Sequence, residues 1–226
     1  MIEKCEHRDK PPEGRDMAPP GESPRTHSRI VIGHHLVLHG YGQWLPNDPR
    51  GSGSAELRQD KFSDLGPIHF GRKRVQPPRE TLQGFYRNAN PRLDFQPIWF
   101  NSAKRQVIGE AFSRVVRGNR YTVWACAVLS NHAHLCIRRH RDDAGTMWRV
   151  LAEASAQALG AFSDVPKGHP IWSSRPYKVF LYTPEDVRRV IAYIEHNSPR
   201  EGLAPQRWGF VTPYDGWPHP KEAAGR

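Results

Sequence analysis

Three cysteines in 226 residues, Cys5, Cys126 and Cys136, form no CxxC pair and leave one without a mate. That pattern excludes a disulfide framework and a zinc ribbon, and it fits a reducing cytoplasm. Long apolar runs are missing too: none approaches the ~20 residues of a membrane span, and the N-terminal residues lack the apolar stretch of a signal peptide. A soluble, cytoplasmic chain is expected. Acidic side chains are outnumbered, 23 Asp and Glu against 33 Lys and Arg, which leaves a formal charge of +10. An excess of this sign favours a polyanionic partner through phosphate contacts and counterion release, with nucleic acid the first candidate. Residues 1–29 hold six basic and six acidic side chains, so the excess lies on residues 30–226. No internal repeat is present. The length suits one core with extensions rather than two full domains.

Residues 1–28 carry Pro11, Pro12, Pro19, Pro20 and Pro24 among charges and little to bury, the composition of a disordered arm. One domain is expected over 29–215, with a tail over 216–226. The run IVIGHHLVL, 30–38, is short, apolar and β-branched, and predicts a buried strand. Residues 41–101 are rich in Gly and Pro, carry a basic run (Arg72, Lys73, Arg74, Arg79) and show no sustained period of 2 or 3.6. They read as an insertion of partly ordered loops, opening with YGQWLPNDPRG.

After Asn101 the apolar residues Val107, Ile108, Ala111, Phe112, Val115 and Val116 fall at helical spacing, with Ser102 as the expected N-cap and Gly118 near the end. A central strand follows over 121–129, then its hairpin partner over 132–139 with Asn131 near the turn. A second helix is predicted over 143–159, a fourth strand over 177–182, and a third helix to about 197. TPED opens that helix, with Thr183 as N-cap and Pro184 at the first helical position. The order strand, helix, strand, strand, helix, strand is the split βαβ arrangement of an α+β, ferredoxin-like antiparallel sheet, here with one added C-terminal helix.

Two segments carry chemistry. In NHAHLCI, 131–137, residues two apart on a strand share a face, so His132 and His134 stand side by side at a spacing that suits one divalent cation. Surface and hydrogen-bonded core histidines show the same spacing. In VRRVIAYIEHNSPREGL the buried stripe is Val187, Val190, Ile191 and Ile194, and Tyr193 and Asn197 lie one turn apart on its flank. Taken alone, that is a Tyr beside the core and an Asn that ends a helix. Cations flank both segments: Arg138, Arg139 and Arg141 after the strand, and Arg175, Lys178, Arg188 and Arg189 around the helix. These can line a path for a phosphate backbone or be ordinary solvated charges. Trp44, Trp172 and Trp208 can stack on bases or pack internally, and His34, His35 and His39 read as structural.

Together the segments resemble the REP-associated tyrosine transposases and the related IS200-like single-tyrosine HUH transposases. The carriers are NHAHLCI, IWSSRPYKVFLYTPEDV, and YIEHN followed by GL, over roughly residues 30–40 and 102–210; YGQWLPNDPRG is similar to an early segment of some members. The resemblance implies that Tyr193 is the nucleophile, and that His132, His134 and Asn197 are ligands of Mg²⁺ or Mn²⁺. It implies cleavage of single-stranded DNA beside a hairpin through a 5′-phosphotyrosine, with rejoining, in a nucleoid-associated bacterial monomer or homodimer. The family has Pro directly after the Asn, whereas here Ser198 intervenes before Pro199. Two rivals are a domesticated DNA-binding module without turnover, and an RRM-type binder, which needs aromatic platforms where this sheet offers histidines.

Overall fold

In the computed structural model, residues 30–51, 60–69, 71, 73–174 and 176–219 are described; the expected disordered arm lies outside them. Four strands, β1 (Gly33–His39), β2 (Val123–Val128), β3 (His132–Arg138) and β4 (Tyr177–Leu181), form one antiparallel sheet in the order β2-β3-β1-β4. With α2 (Ser102–Asn119) and α3 (Ala144–Leu159) as its crossovers, this is the expected ferredoxin-like order. The fourth helix, α4 (Pro184–Arg200), is the C-terminal addition. No helix among the described residues is long and apolar enough to cross a membrane.

Strands β1, β2 and β3 are buried on both faces, which is why β1 shows no simple apolar alternation, while the edge strand β4 is largely exposed. Leu36 and Leu38 point one way and join Leu135, Ile137, Phe112, Met147 and Leu151 beneath α2 and α3. On the other face, Ala125, Ala127, Cys136 and Leu181 pack against Val187 and Ile194 of α4. Cys126 and Cys136 are buried and free of disulfides.

Caps fix where the helices begin. Asn101, not Ser102, caps α2: its side chain accepts from the Lys104 N–H at 2.9 Å. The competing reading fails because an Asn oxygen one residue earlier reaches the third N–H equally well. The helix runs past Gly118 and ends where Arg120 turns left-handed, at φ 59°. Asp143 caps α3 through the N–H groups of Gly145 and Thr146. Thr183 and Asp186 form a reciprocal capping box on α4, and that helix continues through Pro199 to Arg200, three residues beyond the expected end.

The insertion is more ordered than its composition predicts. It holds α1 (Arg79–Ala89) and 3-10 turns at Asp60–Leu65 and Asn90–Arg92. A small core of Leu45, Phe62, Phe85 and Ala89 supports them. The helical signal was present, since Leu82, Phe85, Tyr86 and Ala89 sit at i, i+3, i+4 and i+7. Gly84 and the polar neighbours masked it.

The tail returns to the core at Trp208, which lies over α2. A Cβ built on Gly109 comes within 2.0 Å of the Trp208 ring. Replacing a helical Gly by Ala ordinarily gains up to about 1 kcal/mol. Here Gly109→Ala should instead destabilise by roughly 1–3 kcal/mol through overpacking. Urea unfolding reads this directly, and a raised midpoint would contradict the placement of Trp208.

Candidate metal and tyrosine site

The face of the sheet beneath α4 gathers four imidazoles. The β1–β3 register sets His39 opposite His132, Val37 opposite His134 and His35 opposite Cys136. Alternation then directs His35, His39, His132 and His134 to one side. Ring centroids are 4.8 Å apart for His132 and His134, 5.1 Å for His35 and His134, and 6.1 Å for His39 and His132. The i, i+4 spacing of His35 and His39 on a strand is the sequence signal that both share this face. His34 points to the opposite face, against Phe180.

Burial holds these rings neutral. Desolvation brings His35 down to about 4 and His39 to about 3, the latter helped by neighbouring His132 and Arg50. His134 lies well below 6.5, through burial and then the adjacent histidines. His132 is lowered by burial, with Glu201 opposing and Arg50 reinforcing. A neutral ring is the form that can offer a nitrogen lone pair.

Each of the paired histidines has its Nδ1 engaged. The His132 Nδ1 lies 2.7 Å from the Asn131 Oδ1, and the Asn131 amide donates to the Gln43 Oε1 at 3.2 Å. An amide oxygen can only accept, so the proton of neutral His132 sits on Nδ1 and the Nε2 lone pair is free. The His134 Nδ1 is 3.0 Å from the His35 Nε2, while the His134 Nε2 is buried with no partner among the described residues.

The capping box starts α4, Val187 and Ile194 press it onto the sheet, and the helical period does the rest. Tyr193 sets its ring 5.5 Å from His134 and 5.9 Å from His35, edge-on to both, while remaining 40% exposed. One turn later Asn197 is buried, and its Nδ2 also lacks a partner among the described residues. Rotating that amide by half a turn presents an acceptor oxygen in the same place. Among the described residues, no three His, Cys, Asp or Glu side chains are arranged to hold a metal. The buried His134 Nε2 and the buried Asn197 amide are thus the polar groups left uncommitted here.

The insertion supplies one wall. The Trp44 ring lies 5.5 Å from His39, and the Arg50 guanidinium stacks on Trp44 at 3.8 Å. Asp48, fully buried, grips Arg50 through Nε at 2.9 Å and Nη2 at 2.7 Å. The Tyr86 hydroxyl donates to Asp48 at 2.6 Å and accepts from Arg50 and from the Trp44 N–H, both at 3.0 Å. The Asp-Pro-Arg spelling held this pair in plain view, but its partner Tyr86 lies 38 residues away.

The basic residues are more dispersed than their sequence positions imply. Because β3 runs from His132 to Arg138, Arg138, Arg139 and Arg141 follow the far end of the strand, about 20 Å along it from His132. Arg138 stacks on Trp217 at 4.1 Å. Lys178 is paired with Leu36 and faces away from the imidazoles. Arg188 and Arg189 are exposed on α4 and paired with Glu185 and Asp186. Arg189, one turn before Tyr193, is the basic residue nearest it along the helix edge. Arg175 lies outside the described residues. Trp172 is buried and donates to the Ser155 Oγ, and Trp208 is half-buried and packs against the core.

The buried histidines make stability depend on pH. Unfolded imidazoles titrate near 6.5, whereas folded His35 titrates near 4 and His39 near 3. Below 6.5 the unfolded chain therefore binds more protons, and stability falls as pH drops through that window. The slope is about 1.4 kcal/mol per pH unit for each such group. Urea midpoints in EDTA should decline steadily from pH 7 to pH 5; a flat profile would mean that these rings are open to solvent.

No family model and no curated protein matches the chain. Among solved structures it is similar to a REP-associated tyrosine transposase bound to a REP hairpin. That match has 16% identity over 86% of this chain and 96% of that one, with a TM-score of 0.39. It is also similar to a candidate transposase from Deinococcus radiodurans R1, at 12% identity over 81% of this chain and 100% of that one, with a TM-score of 0.35.

Proposed function

We propose that this chain is a metal-dependent endonuclease and strand transferase that cuts single-stranded DNA beside a hairpin through a covalent bond to Tyr193. The observation that carries the reading is the packing of the Tyr193 ring on His134 and His35, on the face that also holds His132. The motif resemblance supplies the substrate class, and the charge of +10 suits a polyanion.

His132, His134 and Asn197 would hold Mg²⁺ or Mn²⁺. When bound, the cation polarises the scissile phosphate and offsets the charge that develops on its oxygens. Tyrosine ordinarily loses its proton near pH 10, so the reaction relies on positioning. Tyr193 has a fixed ring and an exposed edge. Its Oη forms a bond to phosphorus as the bond to the 3′ oxygen breaks; the phenolic proton ends on that oxygen, leaving a 3′-hydroxyl and a 5′-phosphotyrosine. The phosphoester is retained, so a second 3′-hydroxyl can reverse the step without an external energy source.

With Mn²⁺ and a hairpin-bearing single-stranded oligonucleotide, the protein should form an adduct that survives denaturing electrophoresis, and Tyr193→Phe should form none. Adduct in the Phe variant would remove Tyr193 as nucleophile. His132→Ala should cut at least about a hundredfold more slowly, the scale of losing one preorganised electrostatic contact. It should bind DNA within a few-fold of the unmodified protein. Hairpin binding without any adduct in the unmodified protein would identify a DNA-binding module that lacks turnover.

A further inference from the structure

We infer that His35 is a positioning residue: by accepting a hydrogen bond from the His134 Nδ1–H, it keeps the His134 Nε2 lone pair turned toward the cation site. This rests on the reading of His134 as a metal ligand, and it deepens that reading by assigning a role on β1 outside the paired-histidine motif.

The argument is one of proton placement. The His35 Nε2 and His134 Nδ1 are 3.0 Å apart and buried, so the two neutral rings share one hydrogen. When His134 donates it, the proton of His35 lies on its own Nδ1 and the His134 Nε2 is an acceptor. When His35 donates it, His134 carries its proton on Nε2, in a buried position with no acceptor among the described residues. That arrangement closes the nitrogen to any cation. The neighbouring ligand meets the same need differently, since the Asn131 Oδ1 accepts from the His132 Nδ1 at 2.7 Å. Metal-binding histidines ordinarily donate their second ring N–H to a fixed acceptor, and loss of that acceptor weakens metal binding. His134 has an imidazole where His132 has an amide. Tyr193 lies edge-on to both rings of the His35–His134 pair, which shields their shared hydrogen bond from water.

Two substitutions separate the acceptor from the bulk. His35→Phe keeps an aromatic ring against Tyr193 and removes the acceptor, while His35→Gln places an amide oxygen where Nε2 stood. At pH 7.5, without DNA, Mn²⁺ affinity measured by EPR should fall about 10–100-fold in the Phe variant. It should stay within about threefold of the unmodified protein in the Gln variant, with thermal unfolding verifying that both fold. Nitrogen-15 spectra of the metal-free protein should show His134 protonated at Nδ1, and a shift toward Nε2 protonation in the Phe variant. Unchanged Mn²⁺ affinity in folded His35→Phe, or Nε2 protonation of His134 in the unmodified protein, would overturn the role of His35 and leave the metal reading standing. Absence of Mn²⁺ binding in the unmodified protein would overturn both.

Discussion

The β1–β3 register is the constraint on which the rest depends. It sets His39 against His132 and brings His35 beside His134, and a slip of one residue would send every one of these side chains of β1 to the other face. What forbids the slip is the opposite side of the same strands. Leu36, Leu38, Leu135 and Ile137 are fully buried beneath α2 and α3. Exposing any of them costs about 1.5–3 kcal/mol, and imidazoles would have to take the vacated core positions. An apolar core on the opposite face therefore fixes the site's geometry.

The face beneath α4 solves a different problem, since it must be dry enough to keep four rings neutral yet open at one edge. Ala125 and Ala127 on β2 leave room for Val187 and Ile194, so the helix seats closely over one half of the sheet. Over the other half the helix presents Tyr193 instead of an apolar stripe. The tyrosine is at once a lid on the histidines and an exposed group, because the helical period rotates it from the buried line toward the margin.

Much of this was legible in the sequence, for identifiable reasons. The TPED capping signal, the paired histidines and the tyrosine one turn before an asparagine are local patterns, and each sits in the element it predicts. What stayed hidden depends on pairing across the chain. The places of His35 and His39 beside the paired histidines follow from which strand lies beside β3, and the buried Asp48–Arg50 pair needs Tyr86 from α1 to complete it. The arginines after His134 looked adjacent to the site only because distance along a strand is not apparent in a string of letters. Helix α1 was missed for a simpler reason: a period of four apolar positions was read against a polar, glycine-bearing background.

Two kinds of positive charge result, and physics gives them different uses. Arg188 and Arg189 make exposed pairs with Glu185 and Asp186. Such pairs are worth about 0–1 kcal/mol, so a phosphate can displace the carboxylate at little cost, and binding through them weakens with salt. Arg50 is held differently. Its partner Asp48 is wholly buried, Tyr86 braces both, and Trp44 covers the guanidinium face while touching His39. Separating that pair would strand a buried carboxylate at about 3–5 kcal/mol, so Arg50 is not exchangeable. Its field reaches His39 and His132, where it opposes protonation. The insertion thus contributes to the imidazole face a fixed charge that helps keep it neutral, while the cations of α4 stay in exposed, exchangeable pairs.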